Sequence, residues 1–175
     1  MVPLMTQPRS TLILGGARSG KSTHAESLAD GHQGPLAYIA TAQAYDGEMT
    51  TRIAAHVARR GPAWRTVEEP LDLPGAIMAA DQDNSFVLVD CITLWLTNVL
   101  LGEHDIAAHT ARLLEVVDGC MGPLVLVSNE VGLGIVPDNA LARRFRDEAG
   151  VLNQKLAQAA NRVILVTAGL PLQLK

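Results

Sequence analysis

The chain has 175 residues, 48% of them hydrophobic and 18% charged, a composition typical of one globular domain rather than of a disordered chain. Its net charge of −4, without any block of Lys and Arg, argues against nucleic acid as a partner. Its two cysteines lack the spacing of a metal or disulfide framework, which favours a reducing cytoplasm, and no apolar run approaches the roughly 20 residues of a membrane span.

Short apolar runs rich in β-branched residues recur along the chain and predict the strands of a sheet. They are continuous rather than alternating, which is typical of strands buried on both faces of a parallel sheet. They lie at residues 11–14, 36–40, 86–89, 124–128 and 163–167, with shorter strands expected at 64–67 and 171–174. Residues 1–10 are expected to form a flexible extension ahead of a single domain over 11–175.

Helices are predicted between the strands, at about 21–31, 47–60, 71–80, 92–118 and 138–160. Pro137, Asp138 and Asn139 form a start signal for the last of them. The alternation of strand and helix predicts an α/β fold with a mainly parallel central sheet and helices on both faces. Ligands of such sheets bind at the carboxyl ends of the strands, so the residues that follow each strand are the candidates for chemistry.

The segment GGARSGKS after the first strand fits the phosphate-binding pattern G-x-x-x-x-G-K-[ST] in the required place, between a strand and a helix. In this pattern backbone N–H groups wrap a phosphate, the lysine reaches the β- and γ-phosphate oxygens, and the Ser or Thr ligates Mg²⁺. A nucleoside triphosphatase or kinase is therefore expected. The candidate nucleotide-binding residues are Gly15, Gly16, Ala17, Arg18, Ser19, Gly20, Lys21 and Ser22.

Polar residues also follow two later strands. Asp90 closes the run FVLVD and is expected on a strand that neighbours the first one, where its carboxylate would ligate Mg²⁺ or orient the acceptor. Asn129 and Glu130 follow the strand at 124–128, and the next glycines would let backbone approach a ligand. The sequence leaves Asp90 and Glu130 as alternative bases for an acceptor hydroxyl.

The predicted helix at 47–60 carries Glu48, Arg52 and His56 at intervals of four residues, on one face, with Arg59 and Arg60 a turn further on. Such a pattern is often only a solvated, salt-bridged face. Arginines beside a histidine would, however, favour its neutral, nucleophilic form and could meet the charge of a phosphoryl group. A phosphoramidate on His56 is the functional alternative.

These motifs together resemble the bifunctional adenosylcobinamide kinase and adenosylcobinamide-phosphate guanylyltransferase family of cobalamin assembly. The resemblance spans residues 11–175 and rests on GGARSGKS, YIATAQ, EMTTRIAAH, WRTVEEP, VLVDCITLWLTN, SNEVGLGIVP and RRFRDEAGVLNQKLA. It implies a P-loop NTPase fold, a homotrimer, and two reactions that use Mg²⁺ with ATP or GTP. The first phosphorylates adenosylcobinamide, and the second passes GMP from GTP, through a histidine, to the adenosylcobinamide phosphate.

The resemblance also implies roles for individual residues. It makes His56 the nucleophile and Lys21 and Asp90 catalytic, with Ser22 and Asp90 at the metal. It adds further nucleotide-contacting residues outside the P-loop, namely Thr41, Ala42, Gln43, Val57, Ala58, Arg59, Arg60, Glu68 and Asp90.

Two other functions remain open on the residues alone. One is a monofunctional small-molecule kinase, in which the helix of His56 only binds the acceptor. The other is a GTP-binding regulatory switch, although SNEVG is not the N-K-x-D motif that such a protein uses to read guanine.

Overall fold

The computed structural model describes residues 8–43 and 61–175, which form one seven-stranded sheet with helices on both faces. In chain order the strands are β1 (Ser10–Gly15), β2 (Leu36–Ala40), β3 (Trp64–Glu68), β4 (Phe86–Asp90), β5 (Leu124–Asn129), β6 (Arg162–Thr167) and β7 (Leu170–Gln173). Their order across the sheet is β3-β2-β4-β5-β1-β6-β7. Only β7 pairs antiparallel, with β6, so the predicted single-domain α/β fold with a mainly parallel sheet is confirmed.

The helices of the described residues are α1 (Lys21–Ser27), α2 (Leu73–Ala80), α3 (Ile92–Leu101), α4 (Ile106–Gly119) and α5 (Ala140–Ala159). The start signal before α5 is confirmed, because the Asn139 side chain accepts a hydrogen bond of 2.7 Å from the N–H of Ala142. Helix α1 ends four residues earlier than predicted, and turns follow it. The helix predicted at 47–60 lies outside the described residues.

The prediction of a single helix over 92–118 is wrong, since the helix is interrupted between α3 and α4. Gly102 caps the end of α3, and Glu103 has a left-handed backbone with φ of 55°. Asp105 then starts α4 by accepting a hydrogen bond of 3.0 Å from the N–H of Ala108. A glycine cap followed by an acidic N-cap ends one helix and begins another within four residues.

The sheet separates two apolar layers. On one face Ala25 of α1 and Ala29 of the turns that follow it pack against Tyr38, Leu88 and other buried strand residues. On the opposite face α2, α3, α4 and α5 bury most of the large aliphatic side chains together with Trp95. Because continuous apolar strands need cover on both faces, this arrangement explains why their runs do not alternate with polar residues.

Strand β1 begins at Ser10 rather than at Thr11, so Ser10 belongs to the sheet and not to an extension. Its N–H and hydroxyl both donate to the side-chain oxygen of Asn161, at 3.0 and 3.2 Å, and this joins the start of β1 to the start of β6. Residues 1–7 lie outside the described residues. Within 8–43 and 61–175, none of the helices combines the length and apolarity that crossing a membrane requires.

Candidate active site

The loop between β1 and α1 has the form of a phosphate-binding loop. It leaves the sheet after Gly15 and enters the helix at Lys21, a residue that is only 9% exposed. The ammonium of Lys21 donates to the carbonyl of Gly16 at 3.0 Å, so the charge is held inside the curve of the loop. The amino end of α1 and this ammonium together create a positive site for phosphate oxygens.

Two glycines of the loop are required by its packing. A Cβ on Gly15 would lie 2.5 Å from Ser19 Oγ and 2.6 Å from the carbonyl oxygen of Val166. Gly20 has a φ of 94° and would place a Cβ 3.1 Å from Cα of Gly169. The N–H of Gly169 donates to the Ser19 carbonyl at 2.8 Å, so the turn between β6 and β7 supports the loop from behind.

Asp90 lies at the carboxyl end of β4, as predicted. The prediction that this strand is next to β1 is wrong. Strand β5 lies between them, and Asp90 and Ile13 are both in register with Val127. Two strand spacings separate Asp90 from β1 by about 10 Å. The Val127 and Ile13 side chains belong to the α1 layer, so Asp90 faces the same side of the sheet as α1.

The carboxylate of Asp90 is oriented by a tyrosine from the next strand. Tyr38 of β2 is in register with Leu88, two residues before Asp90, so its side chain lies on the same face of the sheet. Its hydroxyl donates to Oδ2 of Asp90 at 3.0 Å. The ring of Tyr38 packs edge-on against Trp64, with 6.2 Å between the ring centroids. The acid is therefore fixed by a side chain that is itself held in the apolar layer.

A polar cluster occupies the space between the ends of β4 and β5. Nδ2 of Asn129 donates to Thr93 Oγ1 at 2.6 Å, and Thr93 Oγ1 lies 3.1 Å from the sulfur of Cys91. Burial, and next the charge of Asp90, raises the pKa of the Cys91 thiol from 9.0 to about 11, an effect that Lys21 partly opposes. Cys91 is thus a neutral thiol at physiological pH and not a nucleophile.

Thr41 connects the ends of β2 and β4 rather than facing solvent. It is fully buried, and its hydroxyl donates to the Cys91 carbonyl at 2.7 Å and accepts from the Cys91 N–H at 2.9 Å. Its carbonyl accepts from the side chain of Asn98 at 2.9 Å. These bonds fix the backbone on which Asp90 and the partly buried Ala42 and Gln43 are placed.

The two glutamates of the candidate set lie in different places. Both carboxylate oxygens of Glu130 accept hydrogen bonds from the loop that follows it, from the N–H of Gly132 at 2.8 Å and of Leu133 at 3.2 Å. Glu68 is exposed at the end of the edge strand β3, four strand spacings or roughly 19 Å from β1. Glu130 therefore organises a loop, and Glu68 lies too far away for phosphates held by the P-loop.

The remaining predicted residues divide between the loop and the segment outside the described residues. Gly16, Ala17 and Arg18 are exposed at the tip of the loop, and Ser22 is half-buried in the first turn of α1. His56, Val57, Ala58, Arg59 and Arg60 lie outside the described residues, so their places in the site stay predictions.

Three residues of this region were not identified from the sequence. Tyr38 and Thr93 reach Asp90 and Asn129 from other elements, and Gly169 supports the P-loop from the far end of the chain. Tyr38 gave a weak signal as a polar-tipped aromatic inside an apolar strand. Thr93 lies only three residues after Asp90, at the start of a helix, where a hydroxyl commonly serves the backbone.

The hydroxyl of Ser22 and the carboxylate of Asp90 are the oxygens in this region that fit Mg²⁺. Such sites bind the ion through one or two protein oxygens together with phosphates and water, rather than through a full protein cage. The described ranges contain no group of three or more His, Cys, Asp or Glu side chains that could hold a metal alone.

Comparison with known proteins connects this site to one family. The family model described as "cobinamide kinase / cobinamide phosphate guanyltransferase" matches residues 11–174. A bifunctional adenosylcobalamin biosynthesis protein of Pseudomonas aeruginosa is 51% identical over 94% of this chain and 96% of its own length. Proteins of the same description from Escherichia coli and Salmonella typhimurium are 44% and 43% identical, each over 94% of this chain and 98% of their own.

A solved structure with little sequence similarity has the same fold. A prototypical ATPase from the type III secretion system of pathogenic bacteria aligns with a TM-score of 0.55 at 12% identity, over 94% of this chain and 56% of that one. The fold is thus that of the P-loop NTPases, as the loop at residues 15–22 predicted. By its family match and its relatives, the chain belongs to the cobinamide kinase and cobinamide phosphate guanyltransferase family, an enzyme family of cobalamin biosynthesis that has both activities.

Proposed function

We propose that this chain phosphorylates adenosylcobinamide with ATP or GTP and then transfers GMP from GTP, through a covalent intermediate on His56, to the adenosylcobinamide phosphate. The products of the second reaction are adenosylcobinamide-GDP and pyrophosphate. One observation carries the proposal, namely that the P-loop and Asp90 face the same side of the sheet with only β5 between their strands. A nucleotide held by the loop therefore places its terminal phosphates towards Asp90.

The P-loop holds the triphosphate in both reactions. Its backbone N–H groups and the Lys21 ammonium contact the β- and γ-phosphate oxygens, where charge develops on the leaving group. When bound, Mg²⁺ would be held by Ser22 and Asp90 and would neutralise part of this charge. Exposed Arg18 at the loop tip is available to the same phosphates.

Asp90 orients the acceptor hydroxyl in the phosphorylation of adenosylcobinamide. Of the two alternatives, Glu130 already uses both carboxylate oxygens for the N–H groups of its own loop. Among the described residues, Tyr38 is the side-chain donor to the Asp90 carboxylate, at Oδ2, so this carboxylate can also accept the hydrogen bond of a substrate hydroxyl. The hydroxyl oxygen then bonds to the γ-phosphorus as the bond from that phosphorus to the nucleotide breaks, and the hydroxyl proton passes to Asp90.

In the guanylyl transfer a ring nitrogen of His56 attacks the α-phosphorus of GTP. An N–P bond forms, the bond between the α-phosphorus and the bridging oxygen breaks, and pyrophosphate leaves. A phosphate oxygen of the corrinoid product next attacks the same phosphorus and frees His56. Ala42, Gln43, Glu68 and residues 57–60 complete the nucleotide contacts, with Glu68 towards the nucleoside end. The buried Thr41 acts only through the backbone that it supports, which corrects the expected direct contact.

We further propose a homotrimer located in the cytoplasm. The edge strand β7 exposes Leu170 and Leu172, by 70% and 56%, and this apolar edge gives self-association a surface. Cys91 and Cys120 are both free and buried, which fits a reducing compartment.

The proposal is tested by comparing Asp90→Asn with Glu130→Gln, using γ-labelled ATP or GTP, Mg²⁺ and adenosylcobinamide. Asp90→Asn is expected to lower kcat for corrinoid phosphorylation at least 100-fold, since it weakens both metal binding and the orientation of the hydroxyl. Glu130→Gln retains an acceptor oxygen for its loop and is expected to stay within about fivefold of wild type. If the wild-type chain transferred no label to the corrinoid, the proposed function would be wrong.

A further inference from the structure

The connection between β5 and α5 presents large apolar side chains to solvent. We refer to residues 131–137, VGLGIVP, as the apolar loop. Leu133 is 90% exposed, Ile135 97% and Val136 58%, all within four consecutive positions. Single exposed apolar residues are ordinary, but a contiguous group of this kind marks an interaction surface.

The apolar loop has a defined shape because both of its ends are held. At its start, Glu130 accepts hydrogen bonds from the N–H groups of Gly132 and Leu133, at 2.8 and 3.2 Å. At its end, the guanidinium of Arg143 donates to the carbonyls of Pro137 and Asp138, at 3.0 and 2.8 Å. The exposed side chains are therefore presented on an ordered support.

The apolar loop begins beside the phosphate-binding loop. Asn129, the last residue of β5, is in register with Gly15, and the N–H of Glu130 donates to the Gly15 carbonyl at 3.0 Å. An acceptor that receives a phosphoryl group from a nucleotide in the P-loop has to approach this edge of the sheet. The exposed apolar side chains consequently lie next to the place where the acceptor has to bind.

We propose that the apolar loop is the docking surface for the corrin ring of the acceptor substrate. This inference rests on the proposed function, which requires a large macrocyclic acceptor. A corrin ring carries methyl groups around a broad, nearly flat macrocycle, too large for a small closed pocket, and contiguous Leu, Ile and Val side chains suit such a face. The aminopropanol arm of the substrate then extends from the ring towards Asp90 and the γ-phosphate.

The test is the double variant Leu133→Ser with Ile135→Ser, with Met121→Ser as the matched control. Met121 is also exposed, by 67%, but it precedes β5. It therefore lies at the amino ends of the parallel strands, away from the apolar loop at their carboxyl ends. Three quantities are measured for each protein: KM for adenosylcobinamide, incorporation of label from α-labelled GTP without corrinoid, and molar mass by light scattering. The single variant Ile135→Ser is measured as well, so that the inference can still be tested if the double variant does not fold.

The double variant is expected to raise KM for adenosylcobinamide at least tenfold and Ile135→Ser about threefold, with GTP labelling and molar mass as in wild type. An unchanged KM in both variants, with corrinoid turnover intact, would overturn the inference while leaving the proposed function standing. A fall in molar mass in either variant would instead identify a second copy of the chain as the occupant and would also overturn it. Absence of corrinoid turnover in the wild type is the separate result that refutes the proposed function.

Discussion

The hydroxyl of Tyr38 holds the carboxylate of Asp90 in place, and its removal should slow catalysis. Tyr38→Phe keeps the ring against Trp64 and removes the 3.0 Å hydrogen bond to Oδ2. A hydrogen bond to a charged group contributes about 1.5–3 kcal/mol, so kcat for corrinoid phosphorylation should fall about ten- to a hundredfold.

A second measurement separates positioning from stability in Tyr38→Phe. A less fixed Asp90 should require a higher Mg²⁺ concentration for half-maximal activity, whereas a purely structural change would lower the thermal midpoint and leave that concentration alone. If kcat and the Mg²⁺ requirement both match those of wild type, Tyr38 does not position Asp90.

Cys91 makes stability depend on alkaline pH. Because its folded-state pKa is about 11 against an ordinary 9.0, the unfolded chain loses the thiol proton first as the pH rises. The stability that the protonated thiol contributes is intact below about pH 8 and is lost between about pH 9 and 11, and the loss at pH 10 is on the order of 1 kcal/mol. Denaturant unfolding at pH 7.5 and 10 should show this loss in wild type relative to Cys91→Ala, in which no such group titrates. An equal loss in both proteins would contradict the assignment.

At the scale of elements, the P-loop depends on its packing against the turn between β6 and β7. Gly15→Ala would bring a Cβ within 2.6 Å of both Ser19 and the Val166 carbonyl, whereas a Cβ on Gly16 would meet nothing within 4 Å. The first variant should lose about 1–3 kcal/mol of unfolding free energy and weaken nucleotide binding. Gly16→Ala serves as the control and should keep its stability within about 0.5 kcal/mol. Equal stability of the two variants would show that the loop relaxes freely.

The strands were predictable because each is a continuous apolar run, a property of the local sequence. The order of the strands was not, because it depends on pairing between residues far apart in the chain. Asp90 was therefore expected beside β1, although β5 lies between them. The break between α3 and α4 did have local signals in Gly102 and Asp105, but the apolar pattern on either side concealed them.

At the scale of the whole molecule, the candidate site is assembled at the carboxyl edge of the sheet from β1, β4 and β5. The phosphate-binding part was predictable because eight consecutive residues carry it. Supporting residues such as Tyr38, which lies 52 positions from Asp90, come together only in the folded chain and left no comparable motif. Resemblance to a family supplied His56, which no spacing in the sequence could distinguish from a solvated helix face.

The central claim is that one nucleotide site serves two transfers because His56 accepts GMP. The direct test is incubation of the chain with Mg²⁺ and α-labelled or γ-labelled GTP, without corrinoid, followed by recovery of the protein. A covalent histidine intermediate retains the α-label alone, in an acid-labile and alkali-stable linkage, and adenosylcobinamide phosphate should release it. His56→Ala should retain none, while His104→Ala, which alters an exposed histidine elsewhere, should label like wild type. Labelling of His56→Ala at the wild-type level, or no retained label on the wild-type chain, would contradict the account.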